Sequence, residues 1–173
     1  KLARQSTGGF GPNLGYYNSN SGNGPEHMAL FQFAKMLMRK ASDEKAPAWL
    51  AEGFAAYCEN AITKQNLCYS FSYEKNEVRF GNDWDQEIKK FAQQGKLKEW
   101  SYIFPHDGVG MSALDYLTMY SMVQYLIRRD PKRFQDLVLA LKDGLTSEQA
   151  MEKVYHEKVK QLQMEWAQWA IAK

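Results

Sequence analysis

Nucleophilic attack, proton transfer and metal ligation each need particular side chains at particular spacings, and this chain offers few of them. Nucleophilic catalysis has the weakest case. Ser42, Ser112 and Ser121 lie in no nucleophile motif, and neither Cys58 nor Cys68 has a histidine near it in sequence. No glycine-rich loop of the phosphate-cradling type is present. His27 sits near the start of an apolar, helix-like stretch, where a lone histidine is more often a structural group than a ligand. Glu52 stands between Trp49 and Gly53-Phe54-Ala55, a setting that argues for partial burial over a solvated face. Glu26 precedes His27 where a helix should begin, and its charge suits the positive end of that helix. It lies about 200° around the helix from Met28 and should face away from it. His106 beside Asp107 is a further candidate ligand, in a turn-like segment where both residue types are common.

The most specific stretch is Trp49-Leu50-Ala51-Glu52-Gly53-Phe54-Ala55-Ala56-Tyr57. It resembles the W-L-x-E-G-x-A-x-Y segment of gluzincin (thermolysin-like) metallopeptidases and of related bacterial peptidase-like domains. In that family the glutamate is the third zinc ligand, and the first two are the histidines of H-E-x-x-H on a preceding helix. Histidines four apart on a helix lie about 40° apart, so both rings reach one metal. The glutamate between them serves as general base towards the zinc-bound water. Here the matching segment is His27-Met28-Ala29-Leu30-Phe31, 25 residues before Glu52 when counted from His27 and 21 when counted from Phe31. The resemblance makes His27 and Glu52 vestigial or weak metal ligands. It puts Met28 where the general base belongs and Phe31 where the second histidine belongs.

Further segments extend the likeness. Tyr116 to Leu126, followed by Asp130-Pro131-Lys132-Arg133-Phe134, is similar to the long helix and D-P-x-x-F turn downstream of the glutamate helix. By that likeness Tyr116, and next Tyr120, would supply the tyrosine that stabilises an oxyanion. Glu165-Trp166-Ala167-Gln168-Trp169 resembles the closing helix, and Gly15-Tyr16-Tyr17 resembles a segment preceding an edge strand along the substrate cleft. Tyr16, Tyr17 and Tyr120 are therefore candidate binding residues. Catalytic zinc holds three protein ligands and a water. With His27 and Glu52 alone, and no carboxylate at Met28, the resemblance implies the frame of a peptidase without its activity and without a cofactor.

The elements that would position these residues read as mainly α, with a small hairpin. Pro25 and Glu26 open a helix running to about Arg39, and Pro47 opens a second running to about Thr63. Residues 67–80 alternate around Tyr69, Phe71, Tyr73, Val78 and Phe80, a hairpin pattern. Helices are expected over Asp83–Gln94, Ser112–Arg129, Lys132–Lys142, Ser147–Val154 and Glu157–Ile171, with Gly95 and Asp130-Pro131 as stops. Residues 96–112 are mixed, and residues 1–24 read as loop with a short strand near Leu14–Tyr17. The domain division is a loop-rich segment 1–24 and one helical domain 25–173, which the resemblance makes zincin-like.

Composition sets the outer limits. At 45% apolar and 14% aromatic the chain can bury a sizeable core. A net charge of +2, from 22 basic and 20 acidic residues, gives no footprint for nucleic acid or a charged membrane surface, and no apolar run would span a bilayer. The start at Lys1 reads as a mature product or an excised fragment. Two cysteines make no disulfide framework, though a Cys58–Cys68 bridge stays open. The expectation is a pseudopeptidase domain that binds a peptide or protein partner or serves as a scaffold. A secreted or envelope location in a bacterial protein comes from the resemblance alone. The alternative is a divergent zinc metallohydrolase that recruits another ligand, His106 first.

Overall fold

A computed structural model describes residues 8–10, 15–17, 25–66, 83–108 and 110–173. The chain is mainly helical. In order come β1 (Gly8–Phe10), β2 (Gly15–Tyr17), α1 (Pro25–Ala41), α2 (Ala48–Thr63), α3 (Trp84–Gln93), α4 (Trp100–Ile103), α5 (Ala113–Arg129), α6 (Pro131–Lys142), α7 (Ser147–Tyr155) and α8 (Val159–Ala172). The two strands pair antiparallel, with Gly9 opposite Tyr16, and the expected strand near Leu14–Tyr17 corresponds to β2. The hairpin expected over 67–80 lies outside the described residues.

Local chemistry sets the helix ends. Pro47 precedes α2 rather than opening it, in an extended conformation that a residue with fixed φ adopts readily. Asp83 caps α3 by accepting from the Gln86 backbone N–H. Ser112 and Asp115 form a reciprocal capping box on α5. Asp130 ends α5 and caps α6, its carboxylate accepting from the backbone N–H groups of Lys132 and Arg133 while Pro131 takes the first turn. The turn between α1 and α2 is closed by buried Ser42, whose Oγ donates to the carbonyls of Met38 and Arg39 and accepts from the Ala46 N–H. The mixed stretch 96–112 holds α4, whose single turn buries Trp100 and Ile103. Such a short element carries no periodicity to read in advance.

α5 is the central element. Every residue from Asp115 to Leu126 is buried, as expected of a helix enclosed on all sides. α2 packs on it at Gly53, where an added Cβ would lie 2.5 Å from the Met119 carbonyl oxygen and 2.9 Å from Val123 Cγ2. One hydrophobic cluster runs through all eight described helices. Trp49 is fully buried with its indole N–H donating to Ser147 Oγ at 2.9 Å. Trp166 donates likewise to Ser121 Oγ at 2.9 Å and sits 5.7 Å from the Trp100 ring. Trp169 is half-buried and packs on Tyr125. Arg129 joins α5 to the start and face of α8 through Glu157 at 2.7 Å and Glu165 at 2.9 Å.

The close approach at Gly53 sets an expected outcome. In an exposed helix, Gly→Ala gains about 1 kcal/mol of helix propensity. At Gly53 the methyl group meets backbone, so α2 and α5 must part, and overpacking of this kind costs about 1–3 kcal/mol. Gly53→Ala should therefore lower the melting temperature in a thermal scan. A rise would mean that the two helices are not in backbone contact.

Candidate functional site

Of the residues singled out by sequence, His27, Phe31 and Glu52 lie along the seam between α1 and α2. On α1, His27, Phe31 and Lys35 follow one another at four-residue steps and so form one stripe. On α2, Glu52, Ala55, Ala56 and Glu59 form the facing stripe, and all four are buried. Two polar pairs fix the alignment. His27 Nδ1 lies 2.8 Å from Glu59 Oε1, and Lys35 Nζ bonds Glu52 Oε1. The helices therefore run antiparallel, with Phe31 and the two alanines at the level between the pairs.

The resemblance makes His27 and Glu52 ligands of one site; here each side chain pairs with a different residue, Glu59 lying two turns beyond Glu52, about 10 Å along the helix. Both residues still belong to the buried seam. A buried carboxylate needs a donor or a counter-charge, and α1 supplies one to each glutamate. Glu59 is fully buried and His27 is 8% exposed, whereas the Lys35 side chain keeps 28% of its surface in solvent. Lys35 and Glu59 are the residues that sequence reasoning passed over. The signal was there: Lys35 continues the His27–Phe31 stripe by one turn, and Glu59 repeats the Glu52 face after two.

These residues do not fit a zinc ion. Glu52 is engaged by an ammonium, and Phe31, at the second-histidine position, is a core residue with 2% exposure. Among the described residues no group of three or more His, Cys, Asp or Glu side chains is arranged to hold a metal. Met28, at the general-base position, is buried, and its sulfur accepts from Gln32 Nε2 at 3.6 Å. Glu26 is exposed at the start of α1, as its helix-end role requires. His106 packs edge-on against Tyr102, 4.9 Å between ring centres.

The tyrosines of α5 are core residues. Tyr116 is buried. Tyr120 is fully buried, with its hydroxyl 3.1 Å from Asn60 Oδ1, from Asp85 Oδ1 and from the donating Gln124 Nε2. Burial, and then the Asp85 charge, push its pKa well above the usual tyrosine range, so it stays neutral at any physiological pH. Lys173 reaches into the same network and bonds both Asp85 and Gln124. Burial would raise the Asp85 pKa, but hydrogen bonds and charge from Lys173, with Gln124 and Tyr120, hold it below the usual carboxylate range. For Tyr16 and Tyr17 the described feature is backbone pairing in β2. Cys58 is a free, half-buried thiol whose pKa burial pushes up to about 11, the opposite of an activated nucleophile. Cys68 lies outside the described residues.

Beside the seam opens an apolar groove of about 530 Å³. It is lined by Met38 of α1, Phe54 and Tyr57 of α2, Ile127 of α5, and Phe134 and Leu139 of α6. Phe54 and Phe134 stack with ring centres 6.2 Å apart, and Leu139 is 53% exposed at the rim. Sequence pattern named none of these as a site, because each is an ordinary core type at helical spacing. Among the described residues no helix is long and apolar enough to cross a membrane. No family model matches the chain, and neither a curated protein nor a solved structure matches it.

The His27–Glu59 pairing is open to a double-mutant cycle by denaturant unfolding. His27→Ala should cost about 1–3 kcal/mol, since it strips a partner from a buried acceptor. Adding Glu59→Leu should restore part of that loss, because replacing both polar partners by apolar groups is far less costly than replacing one. Additive effects with no coupling would dissolve the pair.

Proposed function

We propose that this chain is a non-catalytic, zincin-like domain of the gluzincin type that holds an apolar segment of a peptide or protein partner. The observation that carries the first half is the engagement of Glu52 by Lys35. The residue that would ligate zinc in an active relative is spent on a side chain of the same protein. The general-base position is a buried methionine and the second-histidine position a buried phenylalanine, so water activation has neither its metal ligand set nor its base. Support for the family frame comes from two antiparallel helices that carry His27, Phe31 and Glu52 on facing stripes.

Partner binding rests on the groove. Ligand sites are typically concave and largely apolar, and this hollow is both. α1 also leaves the large apolar side chains of Phe33, Met36 and Leu37 exposed. The partner segment it suits carries aromatic or long aliphatic side chains. A place in a secreted or envelope protein of a bacterium follows the family resemblance. The alternative, a metallohydrolase recruiting His106, has no observation in its favour.

Two measurements test this reading. Titration calorimetry of the native domain with zinc should give no stoichiometric tight binding; one tightly bound equivalent would instead promote the metallohydrolase. Panning a random peptide library on the native domain should enrich sequences rich in aromatic and aliphatic residues. Leu139→Glu should weaken the enriched peptides at least about tenfold, since a charge would be placed at the desolvated rim, while leaving the melting temperature unchanged. Peptides that bind the variant as well as the parent would remove the groove as the site.

A further inference from the structure

We propose that Lys35 is a tethered cation that takes the place of a metal ion at Glu52, so that the seam neutralises its ligand-type carboxylate from within the chain. This inference rests on the reading of the domain as a peptidase-like frame. It begins with a disagreement between donor set and metal. Glu52 is 7% exposed, and a carboxylate so buried must have a positive or donating partner. α2 contains no lysine, arginine or histidine, so the charge must come from another element. α1 has three other basic side chains. His27 is committed to Glu59, while Arg39 and Lys40 pair with Glu44 at the far end of the helix. Lys35 is the one that reaches Glu52.

The choice of side chain fits the task. An ammonium on a flexible four-carbon stem is a compact point charge with three donors, the nearest a side chain comes to a bare cation. The Lys35 side chain keeps 28% of its surface in solvent against 9% for that of Glu52, so desolvation falls mainly on the glutamate. Its position one turn beyond Phe31 places it on the stripe that faces α2, at the same level as Glu52. A metal at Glu52 would have to displace this ammonium as well as find the ligand that Phe31 does not provide. Three changes thus separate the chain from a metal site: Met28, Phe31 and Lys35.

The test uses the intact domain and two backgrounds. In the native background, Lys35→Ala should lower the melting temperature, and millimolar ethylammonium or zinc should raise it again in the variant but not in the parent. Lys35→Arg should keep most of the parental stability. In the Met28→Glu/Phe31→His background, calorimetry should find zinc affinity at least about tenfold tighter once Lys35→Ala is added, because the cation that competes for Glu52 is gone. An unchanged melting temperature in Lys35→Ala, or a variant that neither cation rescues, overturns the proposal. Equal zinc affinity with and without Lys35 also overturns it, yet leaves the peptidase-like frame standing. If neither engineered protein binds zinc although both fold, frame and proposal fall together.

Discussion

The structure turns on the constraint that α2 is enclosed on both sides while carrying two carboxylates. One side meets α5 so closely that only glycine fits at position 53. The other presents Glu52 and Glu59 to α1 within the buried seam. Ionised carboxylates taken out of water are tolerated only when their charge is answered nearby. The answer fixes how α1 lies. His27 and Lys35 are eight residues apart and the two glutamates seven, both close to two helical turns, so a single antiparallel alignment satisfies both pairs at once. Polar pairing thereby specifies register, which apolar packing of alanine and phenylalanine alone would leave freer.

Between its two polar pairs the seam is apolar: Phe31 is buried there, while the Lys35 ammonium meets Glu52 and His27 meets Glu59. A carboxylate buried without such a partner would be costly. The apolar groove beside the seam uses different residues, but one of its walls is α1 at Met38, so the pairing that sets how α1 lies also sets that wall.

Much of the fold was legible in advance because it rests on local rules. Pro25, Ser112 and Asp130-Pro131 each mark a boundary by hydrogen bonding or fixed φ, and the described helices begin and end within a few residues of the expected points. α4 was not legible, since four residues hold no period. The site was legible in part. Trp49 to Tyr57 falls within α2, and His27 and Glu52 both lie buried in the α1–α2 seam. Their separate partners were missed because a family frame directs attention to positions where ligands belong, whereas pairing follows the spacing of every charge on the two stripes. Lys35 and Glu59 are common residue types that become informative only when both helices are laid side by side. The groove escaped for a different reason: concavity arises from how four helices meet, and no single segment encodes it.

The short turn closed by Ser42 has a consequence in time as well as in space. The seam's partners lie 17 and 32 residues apart along the chain, whereas α5 begins 50 residues after the end of α2. Contacts between near neighbours in sequence have less loop entropy to overcome, and topologies rich in them form faster. The α1–α2 hairpin can therefore form its two polar pairs as its own stripes meet, without waiting for α5, which packs on the other side of α2 at Gly53. Each glutamate then meets its partner in the same step that takes it out of water, so a buried and unanswered carboxylate need not be crossed on the way to the folded state.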